Sequence, residues 1–144
     1  MKGVLILADS AQADANGRIH ALGAGWTVTS TPTPPIALTA LVDCPWDQTN
    51  VKHKLLVELL DTDGRVVSFQ TDEQGNPEPA VRIETDFEVG RPPGMPKGSP
   101  IRQVLAINLT GGLPLTPGEK YEFHLSIDGE HLDSWLATFS VRAA

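Results

Sequence analysis

Val81-Arg82-Ile83-Glu84-Thr85-Asp86-Phe87-Glu88-Val89 alternates without a break. Val81, Ile83, Thr85, Phe87 and Val89 fall on one side, and Arg82, Glu84, Asp86 and Glu88 on the other. Successive side chains of a strand point to opposite faces, so this stretch reads as a strand with one buried and one wet face. The same signature recurs around it. Lys52–Leu60 carries Leu55, Val57 and Leu59 on an apolar face. Near the end of the chain, Tyr121, Phe123, Leu125 and Ile127 are answered by Trp135, Ala137, Phe139 and Val141 across a turn at Asp128-Gly129. No stretch shows the spacing of an amphipathic helix.

Working outward, further strands are expected at Gly3–Ala8, Arg18–Leu22, Trp26–Ser30, Ile36–Val42, Arg65–Gln70 and Ile101–Leu109. Asn16-Gly17 and Asp61-Thr62-Asp63-Gly64 are turn signals, because these residue types tolerate positive φ. Asp43–Gln48 suits a single helical turn, and Thr71–Pro79 reads as a polar loop. The sum is roughly nine short strands with regular turns, which predicts an all-β fold, an antiparallel β-sandwich of the Ig-like or jelly-roll kind. At 144 residues the chain fits one domain, residues 1–144.

The charge balance narrows the function classes. With 11 basic against 18 acidic residues and a net charge of −7, no basic patch for nucleic acid is expected, and an anionic membrane is disfavoured. Cys44 is alone, so neither an intramolecular disulfide nor a cysteine metal cluster is expected. The apolar start Gly3–Ala8 stops at Asp9, too soon for a signal peptide, and reads as a buried first strand. The expected location is the cytoplasm, or a virion if the chain is phage-encoded.

Motifs that carry chemistry are weak. Glu84, Asp86 and Glu88 stand too far apart along a strand to bind one metal ion together, and read as a solvated face relieved by lysine or arginine on the next strand. Asp61–Gly64 lacks the later ligands of a calcium loop. The histidines His20, His53, His124 and His131 show no zinc spacing, and Ser99 lacks a nucleophile elbow. Gly23-Ala24-Gly25 lacks the rest of a phosphate loop. No catalytic residue, cofactor site or metal site is therefore assigned. Trp135 belongs to a core face; Trp46, in a loop after Pro45, has the best claim among the tryptophans to contact a partner. The main candidate is Gly90–Pro100. Its four prolines hold it extended and lower the entropy cost of ordering, while Arg91 and Lys97 flank an apolar centre of Pro92, Pro93, Met95 and Pro96. The bland alternative is a stiff crossover between sheets.

Ala8-Asp9-Ser10-Ala11-Gln12, Gly23-Ala24-Gly25-Trp26, Pro45-Trp46-Asp47, Phe87 to Gly94, and Leu115 to Tyr121 with Ile127-Asp128-Gly129 occur in an order that covers nearly the whole chain. In this the chain resembles a family of small proteins of unknown function from actinobacteria and their phages. The resemblance implies no catalytic residues. It implies a sandwich acting as an assembly module, in its sharper form a capsid-decoration or tail accessory protein. The expected partners are thus proteins, a capsid or tail lattice or further copies of the chain. The alternative is a sandwich that binds a small molecule or carbohydrate near Trp46.

Overall fold

The computed structural model describes every residue from Met1 to Ala144 and contains twelve strands. They are β1 (Lys2–Ala8), β2 (Ser10–Ala13), β3 (Ile19–Leu22), β4 (Val28–Thr29), β5 (Ile36–Cys44), β6 (Lys52–Asp61), β7 (Ser68–Thr71), β8 (Pro77–Pro79), β9 (Arg82–Glu88), β10 (Ile101–Leu109), β11 (Lys120–Ile127) and β12 (Leu136–Val141). The antiparallel all-β class stands, with twelve strands where roughly nine were expected: each of the ten stretches read as a strand holds one, and two more are added. The strands missed are short members of hairpins: β2, which precedes the Asn16-Gly17 turn, and β8, which lies inside the supposed polar loop Thr71–Pro79. Pro77 and Pro79 flank a strand that is fully exposed, where a missing backbone donor costs little. The predicted helical turn is a short 3₁₀ turn, Trp46–Gln48.

One sheet has the order β1-β5-β10 and the other β4-β12-β11-β6-β9. All pairings within them are antiparallel except β4 with β12, which is parallel. Alternate residues of both sheets enter one core. Leu38 and Val42 of β5, Leu55 and Leu59 of β6, and Phe123 and Leu125 of β11 are completely buried there. Phe139 of β12 is the aromatic hub: the rings of Trp26, Tyr121 and Phe123 lie with centroids 5.6, 5.9 and 5.6 Å from its own. Gly3 has its place beside Trp135, whose Nε1 would stand 3.2 Å from any added Cβ. Cys44 is also buried, and burial pushes its thiol up, so it stays protonated.

β5 is buried without alternation from Ile36 to Ala40, because both of its faces are covered there. Ala37 and Thr39 point away from the core, yet are 0% and 3% exposed. The β2–β3 hairpin folds over them and packs against β5 and β10. Asn108 fastens it: its Oδ1 accepts the Ala11 N–H at 3.2 Å, and its Nδ2 donates to the Ala11 carbonyl at 2.9 Å. Three turns share one construction. Asp14, Asp61 and Asp72 each accept, on Oδ1, the N–H groups two and four residues ahead, and Gly17, Gly64 and Gly75 follow in the left-handed region. The Asp61–Gly64 motif is therefore a turn whose carboxylate is already engaged.

Candidate interaction site

Gly90–Pro100 leaves β9, an edge of one sheet, and enters β10, an edge of the other, so it is a crossover between sheets. It is not extended, as its prolines led one to expect. Met95 N–H donates to the Pro92 carbonyl at 3.4 Å and Ser99 N–H to the Pro96 carbonyl at 3.1 Å, which folds the loop into two consecutive turns. Gly94 and Gly98 occupy the left-handed third positions of these turns, each with φ 85°. Proline before glycine, as in Pro93-Gly94, is the pairing such a turn favours.

Arg91 ties the start of the loop to the Trp46 turn. Its guanidinium carbon lies 4.1 Å from the centroid of the Trp46 ring. Its Nε donates to Thr49 Oγ1 at 2.6 Å and its Nη2 to the Trp46 carbonyl at 2.7 Å. The structure thus brings together two of the residues singled out from sequence, Arg91 and Trp46, by binding them to each other. Pro92, Pro93, Met95, Pro96 and Lys97 project into solvent beside them. A groove of about 500 Å³ opens next to the tryptophan, lined by Met1, Lys2, Pro45, Trp46, Asp47 and Pro100, among others. Asp43, which also lines it, accepts from Arg102 Nε at 2.8 Å and Nη2 at 3.1 Å, and this guanidinium contact lowers its carboxyl from the ordinary value.

The turn carrying Trp46 is anchored from behind by His53, which is 5% exposed. Its Nδ1 lies 2.7 Å from Asp128 Oδ2 and its Nε2 lies 2.8 Å from the Gln48 carbonyl. Both partners present acceptor oxygens, so a ring that donates from both nitrogens, an imidazolium, satisfies both contacts. Burial alone would push this histidine down; the Gln48 carbonyl and then the Asp128 carboxylate outweigh it, and the net direction is up. Asp128 Oδ1 in turn accepts the Lys54 N–H at 2.9 Å, a contact that lowers the Asp128 carboxyl first, with His53 adding to it. Asp128 has φ 53°, so the turn between β11 and β12 bends in the left-handed region to make both contacts. His53 has no motif around it in the sequence that assigns it a role. Its only signal in the sequence is position, in step with Leu55, Val57 and Leu59 on the apolar face, and in the fold it lies opposite Phe87 on β9.

The other candidates have ordinary settings. Lys52 stands opposite Glu88, Lys54 opposite Asp86, and Arg82 binds Glu84 at 2.8 Å and Glu58 at 3.2 Å, so the acidic row has the basic neighbours expected of it. His20 lies 2.8 Å from Asp14, and His124, 2.7 Å from Glu122, stacks on His131. No helix is long and apolar enough to cross a membrane.

A family model described as a family of unknown function (DUF6941) matches residues 3–140, and the chain belongs to that family. No curated protein matches it.

Proposed function

We propose that this member of the family is a non-enzymatic protein-interaction or assembly module, docking through the Gly90–Pro100 loop and the adjoining Trp46 turn. The observation that carries the reading is the Arg91 clamp. It fixes the base of a proline-rich loop whose apolar tips stay exposed, so little further ordering is needed on binding. The exposed set, Pro92, Pro93, Met95 and Pro96 beside Lys97, has the apolar centre and charged rim of a protein contact. In its sharper form the protein is a capsid or tail accessory from an actinobacterium or its phage, a reading supported by the sequence resemblance alone.

The groove beside Trp46 supports a second reading, a small-molecule or carbohydrate site, because an indole ring with Pro45 and Pro100 lines a concavity of about 500 Å³. Arg91 over the ring leaves less of Trp46 for a sugar to stack on, which supports the docking reading over this one. A photocrosslinking side chain at Met95 tests the choice, with the same group at Glu73 in the β7–β8 turn as control. A discrete protein adduct or a crosslinked multimer from Met95, lost in Arg91→Ala and absent from the control, is expected. Equal or absent labelling from both positions sinks the docking end, and a bound small molecule in native mass spectra moves the reading to the groove.

A further inference from the structure

The sandwich is closed along one flank and open along the other. β1 packs against β12, so the opposite flank is formed by β9 and β10, the two edges joined by the Gly90–Pro100 crossover. Core-facing side chains are incompletely covered there. Thr85 of β9 is exposed although it shares a face with the buried Phe87, and Ile83, Leu105 and Ile107 are only half-buried.

The edge of β9 has no strand beside it, and its one recorded contact there is long, Thr85 Oγ1 donating to the Asp86 carbonyl at 3.5 Å. Lys54 directs its backbone away from β9: its N–H donates to Asp128 Oδ1 and its carbonyl accepts the Asp128 N–H at 2.8 Å. By the alternation of an antiparallel ladder, His53, Leu55 and Val57 therefore bond to Phe87, Thr85 and Ile83. The N–H and C=O groups of Glu84 and Asp86 then point outward, and both residues are exposed. On the outer face, Arg82 binds Glu84, while the Asp86 and Glu88 carboxylates, with Lys54 and Lys52 opposite them on β6, make no ion pair within 4 Å. A second copy is the poorer occupant: antiparallel pairing centred on Thr85 sets Glu84 against the copy's Asp86 twice, and the register centred on Ile83, which sets Arg82 against the copy's Glu84, leaves Asp86 opposite Ala80 and Glu88 opposite Glu78.

We propose that the free edge of β9 takes up an extended segment of a partner protein, with basic side chains at alternate positions and apolar ones between them. Backbone bonds to Glu84 and Asp86 extend the five-stranded sheet by one strand. The basic side chains then lie beside Glu84, Asp86 and Glu88, and the apolar ones cover Thr85, Ile83 and the half-buried leucine and isoleucine of β10. This surface is separate from the Arg91 loop tips and stands whether or not those dock anything.

The probe is a labelled peptide of about ten residues alternating lysine and valine, long enough to span a strand. A glutamate–valine peptide is the control. Titration by fluorescence anisotropy is combined with amide exchange resolved by NMR. Expected are binding of the lysine peptide roughly tenfold or more tighter than the control, and slowed exchange at the Glu84 and Asp86 amides. Glu84→Pro removes an outward N–H without touching the β6 ladder, and is expected to abolish the protection. If that variant does not fold, Asp86→Lys with Glu88→Lys is expected to reverse the preference between the two peptides. The proposal is overturned by no binding, by binding that leaves both amides unprotected, by a folded Glu84→Pro variant that binds normally, or by an unchanged preference after charge reversal.

Discussion

The two sheets turn opposite kinds of surface away from the core they share. The outer face of the five-stranded sheet carries Lys52, Lys54, Glu58, Arg82, Glu84, Asp86 and Glu88, with charges set across neighbouring strands. The outer face of the three-stranded sheet has a charged row, Lys2, Asp43 and Arg102, and beyond it Val4, Leu41, Val104, Ile6, Thr39, Ala106 and Ala37. Water solvates the first face directly. The second would leave apolar area in water, and the β2–β3 hairpin covers part of it, although Val4 remains 51% exposed. A sheet face is thus stabilised either by its own charges or by a second layer, and the difference lies in what is on its far side. Substitutions that exchange the two environments test this most directly.

The largest effect is expected from Ala37→Asp. The same carboxylate stands in water at Asp86; at Ala37 it would be buried beneath the hairpin with no cation assigned to it. Either the charge is buried or the hairpin lifts off, and the loss should exceed about 3 kcal/mol. Chemical denaturation gives the stability, and amide exchange over β2 and β3 reports the lifting. A loss under about 1 kcal/mol with the hairpin amides still protected would refute the second-layer account.

Between the faces, one ionic contact reaches the interior, and it should respond to pH as the surface charges do not. The His53 pKa is raised above its ordinary 6.5, so its contribution is fully present below that value and is lost as pH rises through the folded-state pKa. The Asp128 pKa is lowered from 3.8, so its contribution is present above that value and is lost as pH falls through the folded-state pKa. The pair therefore stabilises most in the window between those two ordinary values. Asp128→Asn keeps an acceptor for the Lys54 N–H and removes the charge. Its cost should be about 1–2 kcal/mol inside the window, toward the lower figure because Asp128 is half-exposed, and should shrink on either side. Denaturation midpoints across a pH series that differ from the parent by a constant amount would show that His53 is not held as an imidazolium.

The same contrast of surfaces explains what is legible in the sequence alone. β9 and β11 alternate in sequence because their outer faces meet water, and they revealed the fold class. β5 reads as Ile36-Ala37-Leu38-Thr39-Ala40-Leu41-Val42 with little polar interruption, since a hairpin closes its outer side; sequence marks the strand but not its cover. β2 and β8 escaped notice because four or fewer exposed residues carry no periodic signal. At the candidate site, proline and glycine marked the loop correctly, but not its two turns, which depend on Gly94 and Gly98 taking positive φ. The Arg91–Trp46 contact joins residues 45 positions apart, and the His53–Asp128 contact joins residues 75 apart. Neither follows from local pattern.

The smallest effect is expected where charge is most visible. Arg82 reaches two carboxylates, Glu58 and Glu84, and would be the first choice of anyone counting ion pairs. Its side chain is 46% exposed, however, and Glu84 is 45% exposed, so water competes for every partner and holding a long side chain in place costs entropy. Arg82→Ala should change stability by no more than about 0.5 kcal/mol, and a double-mutant cycle with Glu58→Ala should give a coupling of similar size that fades in salt. A coupling above about 1.5 kcal/mol would mean that the charged face behaves as a fastened layer. In that case the two faces would be held by the same means, and the distinction between a solvated sheet and a covered one would fail at the place where it is easiest to measure.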